Sequence, residues 1–377
     1  MEKKFNLSDN YKIIVFFALL FIFFTTPFYS LEQTKYLGGS DGYDYYLIAK
    51  NAPNIAENIQ FIKNERFFFP YMIGLIGNTF EIDIFFLFRI FSIFLCIIFI
   101  YLNFRVLRKL HCNNKFILIA LLLIICNPYL IRYFISIPTL ITDLIFLNAT
   151  LLILIGFIGG RKNIFFLGII IGIMSRQNVL AFIISAYATY FISAYNCKGS
   201  KFFKFNDIIK LTTVCFVFQF INYTYATQAG TTVDAGDLYY VTIFGIFLSN
   251  ASIYSLLIFM LFPLLSFGPI IYLITFYKIN FVKLKNELML FLLFAIIMLI
   301  AQPFLGGPII TDKNFIRLAN YAYPSIIILI YLISTPRLNL FNKKVNLNLF
   351  TSFLFLWSLH PTFSKIKIFE TLKFNLN

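Results

Sequence analysis

Ile84-Phe-Phe-Leu-Phe-Arg89-Ile-Phe-Ser-Ile-Phe-Leu-Cys96-Ile-Ile-Phe-Ile-Tyr-Leu-Asn-Phe104 contains a single charge, Arg89, and runs straight into Arg105, Arg108, Lys109 and Lys115. Crossing a hydrocarbon core about 30 Å thick takes about 20 consecutive apolar residues in a helix. The stretch therefore reads as a transmembrane span that ends in a basic loop, the pattern expected of a cytoplasmic loop. The rest of the chain repeats this pattern. Hydrophobic residues make up 60% and charged residues 12% of it, with 51 Phe, more than one soluble core of this size would hold. The mean hydropathy is +0.83. The fold class is all-α, a polytopic membrane helix bundle. A net charge of +15 raises the question of nucleic acid. The basic residues lie in short clusters between apolar runs, which points to loops at a membrane surface and not to a nucleic-acid interface.

Working outward, Lys3, Lys4 and Lys12 precede a first run from Ile13 to about Tyr29. That run lacks a small-residue cleavage site before a polar mature chain, so it reads as a retained helix with a cytoplasmic N-terminus. Residues 31–68 form a polar loop of mixed charge, expected outside. Residues 69–79 are too short to span alone. After 84–104 come hairpins at 116–129 with 138–158 and at 164–174 with 179–195. Arg132 falls at the outer turn of the first, and Ser175-Arg176-Gln177-Asn178 at that of the second. Further spans are expected near 211–225, 252–277, 288–303, 321–334 and 347–359. Each strongly basic loop falls on one side and the acidic residues at or beyond the opposite ends. The expectation is ten to twelve spans in one integral membrane domain over 1–377, without a sizeable soluble domain, multi-pass in the cytoplasmic (inner) membrane.

Five cysteines, Cys96, Cys112, Cys126, Cys197 and Cys215, show no CxxC spacing, and two isolated histidines provide neither a triad nor a zinc pattern. There is no P-loop, GxGxxG or nucleophile elbow. Attention falls instead on Gly38-Gly39-Ser40-Asp41-Gly42-Tyr43-Asp44-Tyr45-Tyr46-Leu47-Ile48-Ala49. Two carboxylates wrapped in tyrosines are not needed to build a bundle. If this stretch is helical, Asp41, Tyr45 and Ala49 share one face. A carboxylate there suits a general base acting on an alcohol, or a metal ligand. Asp143, about one turn into its span, is costly in a membrane and is a functional candidate. Its plain reading is a cap or an interior hydrogen bond. Arg176 follows Gly168 and Gly172, small residues that let helices approach. It can bind a phosphate or snorkel to the surface. Arg89 is expected to be paired, and Glu81 and Asp83 to mark a boundary.

With these residues in place, the chain resembles the GT-C superfamily of membrane glycosyltransferases, in particular the group similar to protein O-mannosyltransferases and the lipid A aminoarabinose transferase. Their first external loop carries a motif of the type D-E-x-x-Y-x-x-x-A. Asp41, Tyr45 and Ala49 match it, Gly42 stands in place of the second acid, and Asp44 is its nearest substitute. Arg66-Phe-Phe-Phe-Pro70 resembles the family's aromatic-proline helix opening. Gly168, Gly172 and Arg176 resemble a G-x-x-x-G-x-x-x-x-R helix, at shorter spacing. Arg317-Leu-Ala-Asn-Tyr-Ala-Tyr-Pro324 is similar to a late arginine-then-proline helix start.

The resemblance implies inverting transfer of a sugar from a polyprenyl-phosphate donor to a glycan, lipid or protein acceptor on the outer face. Asp41 is the expected base and Asp44 its support. Arg66, Arg176, Lys313 and Arg317 are phosphate candidates, Asp143 a further substrate-binding candidate, and Tyr45 and Tyr46 candidates for sugar stacking or interfacial anchoring. No cofactor is specified, and a divalent cation at the paired carboxylates stays open because Gly42 replaces the second acid. An O-antigen-type polymerase shares the topology and lipid-linked substrates, and a flippase for lipid-linked glycans is a rival of a different class.

Overall fold

The computed structural model describes residues 11–37, 40–57, 59–195, 200–229, 253–276, 286–310, 315–334 and 347–359. Among these the only regular elements are helices. They are α1 (Tyr11–Thr25), α2 (Leu31–Leu37), α3 (Ser40–Asn51), α4 (Phe61–Asn64), α5 (Phe68–Thr79), α6 (Ile84–Lys109), α7 (Asn114–Ile125), α8 (Ile131–Ser136), α9 (Ile141–Ile158), α10 (Lys162–Ser175), α11 (Leu180–Tyr195), α12 (Phe205–Gln228), α13 (Ile253–Phe276), α14 (Glu287–Ile310), α15 (Phe315–Ala319), α16 (Tyr323–Ser334) and α17 (Leu347–Ser358), with short 3-10 turns at Gln177–Val179 and Asn320–Ala322. The helices follow the expected spans closely, because each apolar run is bounded by residues that start or stop a helix. Asp83 accepts the Phe86 N–H at 2.6 Å and Asn113 accepts the Phe116 N–H at 2.8 Å, opening α6 and α7. Arg108 and Lys109 occupy the last turn of α6, where cations complement the helix dipole.

Three segments are long and apolar enough to cross a membrane: Ile84–Lys109, Ile141–Ile158 and Gln177–Tyr195. Six shorter apolar helical segments accompany them. Burial sorts the long ones. In its apolar window α9 is 89% buried and α6 only 28%. Thus α9 is the axis of the bundle, while α6 turns side chains such as Phe86, Phe94 and Ile97 outward. α9 packs against α6 and α10, α11 packs against α14, and α3 packs against α5. The α9–α10 approach depends on Gly168, where an added Cβ would sit 2.8 Å from the Ile153 backbone nitrogen and 2.9 Å from the Ala149 carbonyl.

Two sequence expectations change. Residues 31–68 are not an extended polar loop, because α2, α3 and α4 fold within them and α3 docks on α5. At Gly74 the backbone of α5 comes so close to the Ala49 carbonyl that any Cβ would overlap it. Arg132 lies in the connection between α7 and α9, as expected, but that connection is folded and buried. Arg132 itself is in α8 at 2% exposure and donates to the carbonyl and hydroxyl oxygens of Thr25 at 2.6 and 2.7 Å, tying α8 to the end of α1.

The ends of α9 differ in character. Its first turn carries Asp143. Near its last turn the Lys109 ammonium reaches the Ile155 carbonyl, and Lys162 pairs with Asp207 just beyond. About 18 Å of helix separates Asp143 from Ile155. Both ends hold paired charges, but the network at the Asp143 end is the larger and the more buried.

Candidate functional site

Around the start of α9, polar side chains from six separate chain segments meet. α3 brings Asp41 and Asp44 on its first turns, with the Asp41 carboxylate in the first turn, the position the helix dipole favours. Asp44 lies 2.7 Å from the Lys63 ammonium in α4, and Asp41 lies 3.5 Å from the same group. The other oxygen of Asp41 accepts from Arg317 Nη2 of α15 at 2.8 Å. Arg317 Nε in turn lies 3.5 Å from Asp143 Oδ2, and Asp143 Oδ1 accepts from Arg176 Nη1. Arg176 also donates to Asn178 at 3.1 Å and lies over the Tyr321 ring. The charged line therefore runs Asp44, Lys63, Asp41, Arg317, Asp143, Arg176.

A second line crosses the first at Tyr45, Asp41's neighbour one helical turn on. Arg66 Nη1 donates to the Tyr45 hydroxyl at 3.0 Å, and its Nε donates to Gln177 Oε1 at 3.0 Å. The Gln177 amide nitrogen donates to Glu65 at 2.7 Å, and Gln219 of α12 donates to the other Glu65 oxygen at 3.0 Å. Because Gln177 gives its N–H to Glu65, its carbonyl is turned toward Arg66.

Burial grades the site. The Asp143 side chain is 0% exposed, and those of Arg317 and Arg176 are 3% and 4%. The Asp41 and Asp44 side chains keep 17% and 16%. The network is thus open to solvent at Asp41 and Asp44, with Asp143 enclosed beneath them. Burial alone would raise the Asp41 carboxyl. Arg317, Arg66, Arg176 and Lys63 more than reverse this and hold it well below the usual carboxylate range. Burial pushes Glu65 up, against hydrogen bonds from Gln177 and Gln219 and the charge of Arg66.

Among the described residues, Asp41, Asp44, Asp143 and Lys63, Arg176, Arg317 balance as three carboxylates against three cations. Arg66 is a fourth cation, and Glu65 beside it is a fourth acid. Arg66 is 7% exposed, and its direct partners are the neutral Tyr45 and Gln177. Buried polar atoms without a hydrogen bond cluster at the same place: Arg317 Nε, Asp143 Oδ2 and Thr139 Oγ1, the last against Gly42 of α3. Arg317 Nε and Asp143 Oδ2 face each other at 3.5 Å, a charge contact too long for a good hydrogen bond.

The sequence candidates fare unequally. Asp41, Asp44, Tyr45, Arg66, Asp143, Arg176 and Arg317 converge. Asp143 does not cap its helix but anchors two arginines, and Arg176 is buried instead of snorkelling outward. Tyr45 is fully buried and holds Arg66, so it is not a stacking platform in this arrangement. Tyr46 faces Tyr43 at 6.4 Å between ring centres, half-buried at the rim. Lys313, Gly38, Gly39, Asp234, Asp237 and Asp312 lie outside the described residues. Arg89 finds the Tyr29 carbonyl at 2.9 Å and the rings of Phe28 and Phe85, away from the site. Lys63, Glu65, Gln177 and Gln219 were not singled out from the sequence. The run Lys63-Asn64-Glu65-Arg66, dense in charge immediately before Phe67-Phe-Phe-Pro70, is the signal that pointed to two of them.

A divalent cation does not fit this arrangement. The Lys63 ammonium sits between Asp41 and Asp44, where a bridging metal would lie, and Arg317 takes the remaining Asp41 oxygen.

No protein-family model, curated protein or solved structure matches the chain. Among the described residues the chain is all-helical, with three helices long and apolar enough to cross a membrane and a buried charge network at one end of α9.

Proposed function

We propose that the protein is a GT-C-like membrane glycosyltransferase that moves a sugar from a polyprenyl-phosphate donor to an acceptor hydroxyl. Its short apolar helices complete a bundle of ten to twelve crossings in the cytoplasmic membrane, with the site on the outer face. The observation that carries this reading is the pairing of a partly open carboxylate, Asp41, with buried guanidinium groups contributed from across the chain. Arg66 is the one whose direct partners are neutral.

A sugar phosphodiester carries negative charge, and Arg66 and Arg317 would take its phosphate oxygens through charge-assisted bonds. The acceptor hydroxyl attacks the anomeric carbon, the carbon–oxygen bond to phosphate breaks, and the acceptor proton passes to Asp41. The departing phosphate keeps the bonding electron pair and is stabilised by the arginines. In the resting site four cations depress the basicity of Asp41. Once a phosphate shares Arg317 and Arg66, their field on Asp41 falls and its basicity rises. The base would then be strengthened by donor binding, which restrains acceptor activation until the donor is present. Lys63 holds Asp44 in place through its 2.7 Å contact.

The test is sugar release from a radiolabelled polyprenyl-phosphate hexose panel by the full chain in liposomes. Asp41→Asn should bind donor and not transfer, since an amide cannot accept the proton. A folded Asp41→Asn protein that transfers at the wild-type rate, or a wild-type protein that binds none of the panel, overturns the assignment.

A further inference from the structure

Away from the charged site, a slot of about 540 Å³ opens between α1 and α6, closed behind by α7 and α8. Its walls are apolar throughout, from Phe23 and Ile93 at one end to Phe104 at the other, where Lys12 supplies the one charged lining group. Beyond Phe23 the Arg132–Thr25 hydrogen bonds fasten α8 to the end of α1. The far end is therefore braced, and the Lys12 end is the basic one.

Length and charge select the occupant. From Lys12 to Phe23 the slot follows about 16 Å of helix, close to half of a hydrocarbon core of about 30 Å. That is the depth of one leaflet, suited to one acyl chain and short for a polyprenyl tail that crosses the core. At the Lys12 end, Arg105 lies 5.8 Å from the ring centre of Tyr101 and Arg108 lies 5.4 Å from that of Phe104, both rings that line the slot. Lys12, Arg105 and Arg108 are all exposed. Among the described residues no acidic side chain lines the slot.

We infer that this slot is a binding site for an anionic glycerophospholipid, one acyl chain lying between α1 and α6 and the phosphate headgroup held by Lys12 and Arg105. The site is independent of the charged cluster on α3 and α9 and holds whichever reaction that cluster performs. Each basic residue near an anionic surface strengthens binding by about fivefold.

The experiment is native mass spectrometry of the full chain in detergent. It titrates dioleoyl phosphatidylglycerol against dioleoyl phosphatidylcholine, lipids with identical chains. Tighter binding of the anionic lipid by tenfold or more is expected. Lys12→Gln with Arg105→Gln should erase that preference and leave phosphatidylcholine binding unchanged. Leu19→Trp with Ile97→Trp should fill the slot and weaken both lipids; Ile97→Trp alone, at an exposed position, serves if the pair does not fold. Equal binding of the two lipids overturns the inference, as does a preference that survives loss of both cations. A tryptophan variant that binds like wild type overturns it as well. One-for-one displacement of phosphatidylglycerol by a polyprenyl phosphate would assign the slot to the donor's tail instead.

Discussion

Replacing Asp143 with Asn keeps the shape of the side chain and removes its charge at the most enclosed point of the site. Asp143 is fully buried between Arg176 and Arg317, themselves only 4% and 3% exposed. Removing one member of a buried ion pair costs about 3–5 kcal/mol, because the remaining charge is left without compensation. Arg317 retains Asp41 at 2.8 Å, whereas Arg176 has no other carboxylate within 4 Å among the described residues. The loss should therefore match one broken pair and not two, about 3–5 kcal/mol. That is a large share of the roughly 5–15 kcal/mol that holds a typical fold. Thermal and denaturant unfolding of the purified protein would measure it. The cause is checked by combining Asp143→Asn with Arg176→Met, which removes both charges at similar volume. The double variant should recover most of the lost stability, since no guanidinium is stranded. A single variant within about 1 kcal/mol of wild type, or a double variant no better than the single, would refute the reasoning.

Asp44→Asn should slow sugar transfer less than Asp41→Asn, because Lys63 keeps Asp41 at 3.5 Å when its 2.7 Å partner is neutralised; the reverse order in the liposome assay would move the base to Asp44. Arg66→Lys keeps the charge but reaches only one of its two partners, Tyr45 or Gln177. A hydrogen bond from a charged group contributes about 1.5–3 kcal/mol, so donor affinity should fall on the order of tenfold, read by titration of the lipid donor. Gly74→Ala would drive a methyl group into the Ala49 carbonyl and lower stability by about 1–3 kcal/mol, with activity falling too because α3 carries Asp41. For Glu65 the folded state favours the protonated form. Its contribution should therefore decline as pH rises from its ordinary 4.5 through the folded value. Glu65→Gln should flatten that part of the stability profile. Asp41 acts in the opposite sense: its contribution is present above its ordinary 3.8 and is lost only in strong acid.

The helix positions were legible because hydrophobic runs and their caps are local. The stretch 84–104 became α6, extended to Lys109 by the basic last turn, and the expected run 347–359 became α17 almost unchanged. The helical face of Asp41, Tyr45 and Ala49 was also readable, since four-residue spacing follows from helix geometry alone. So were Asp143 and Arg176, because a charge in so apolar a chain is costly wherever it lies; Arg66 and Arg317 were named through the family resemblance. The sequence did not reveal α2 and α4, or how α3 is held, by docking on α5 at Gly74.

Which charge meets which was decided by the tertiary structure. Arg317 and Asp41 are 276 residues apart, Glu65 and Gln219 are 154 apart, and Arg66 and Gln177 are 111 apart. A carboxylate in the sequence looks the same whether it caps a helix, holds an arginine or waits for a proton. Its neighbours arise from the packing of α3, α4, α9, α12 and α15, and that packing depends on side-chain shape at many contacts at once. For this reason the sequence located the expensive residues, while only the folded chain determined that Asp143 is buried support and Asp41 the carboxylate nearest the opening.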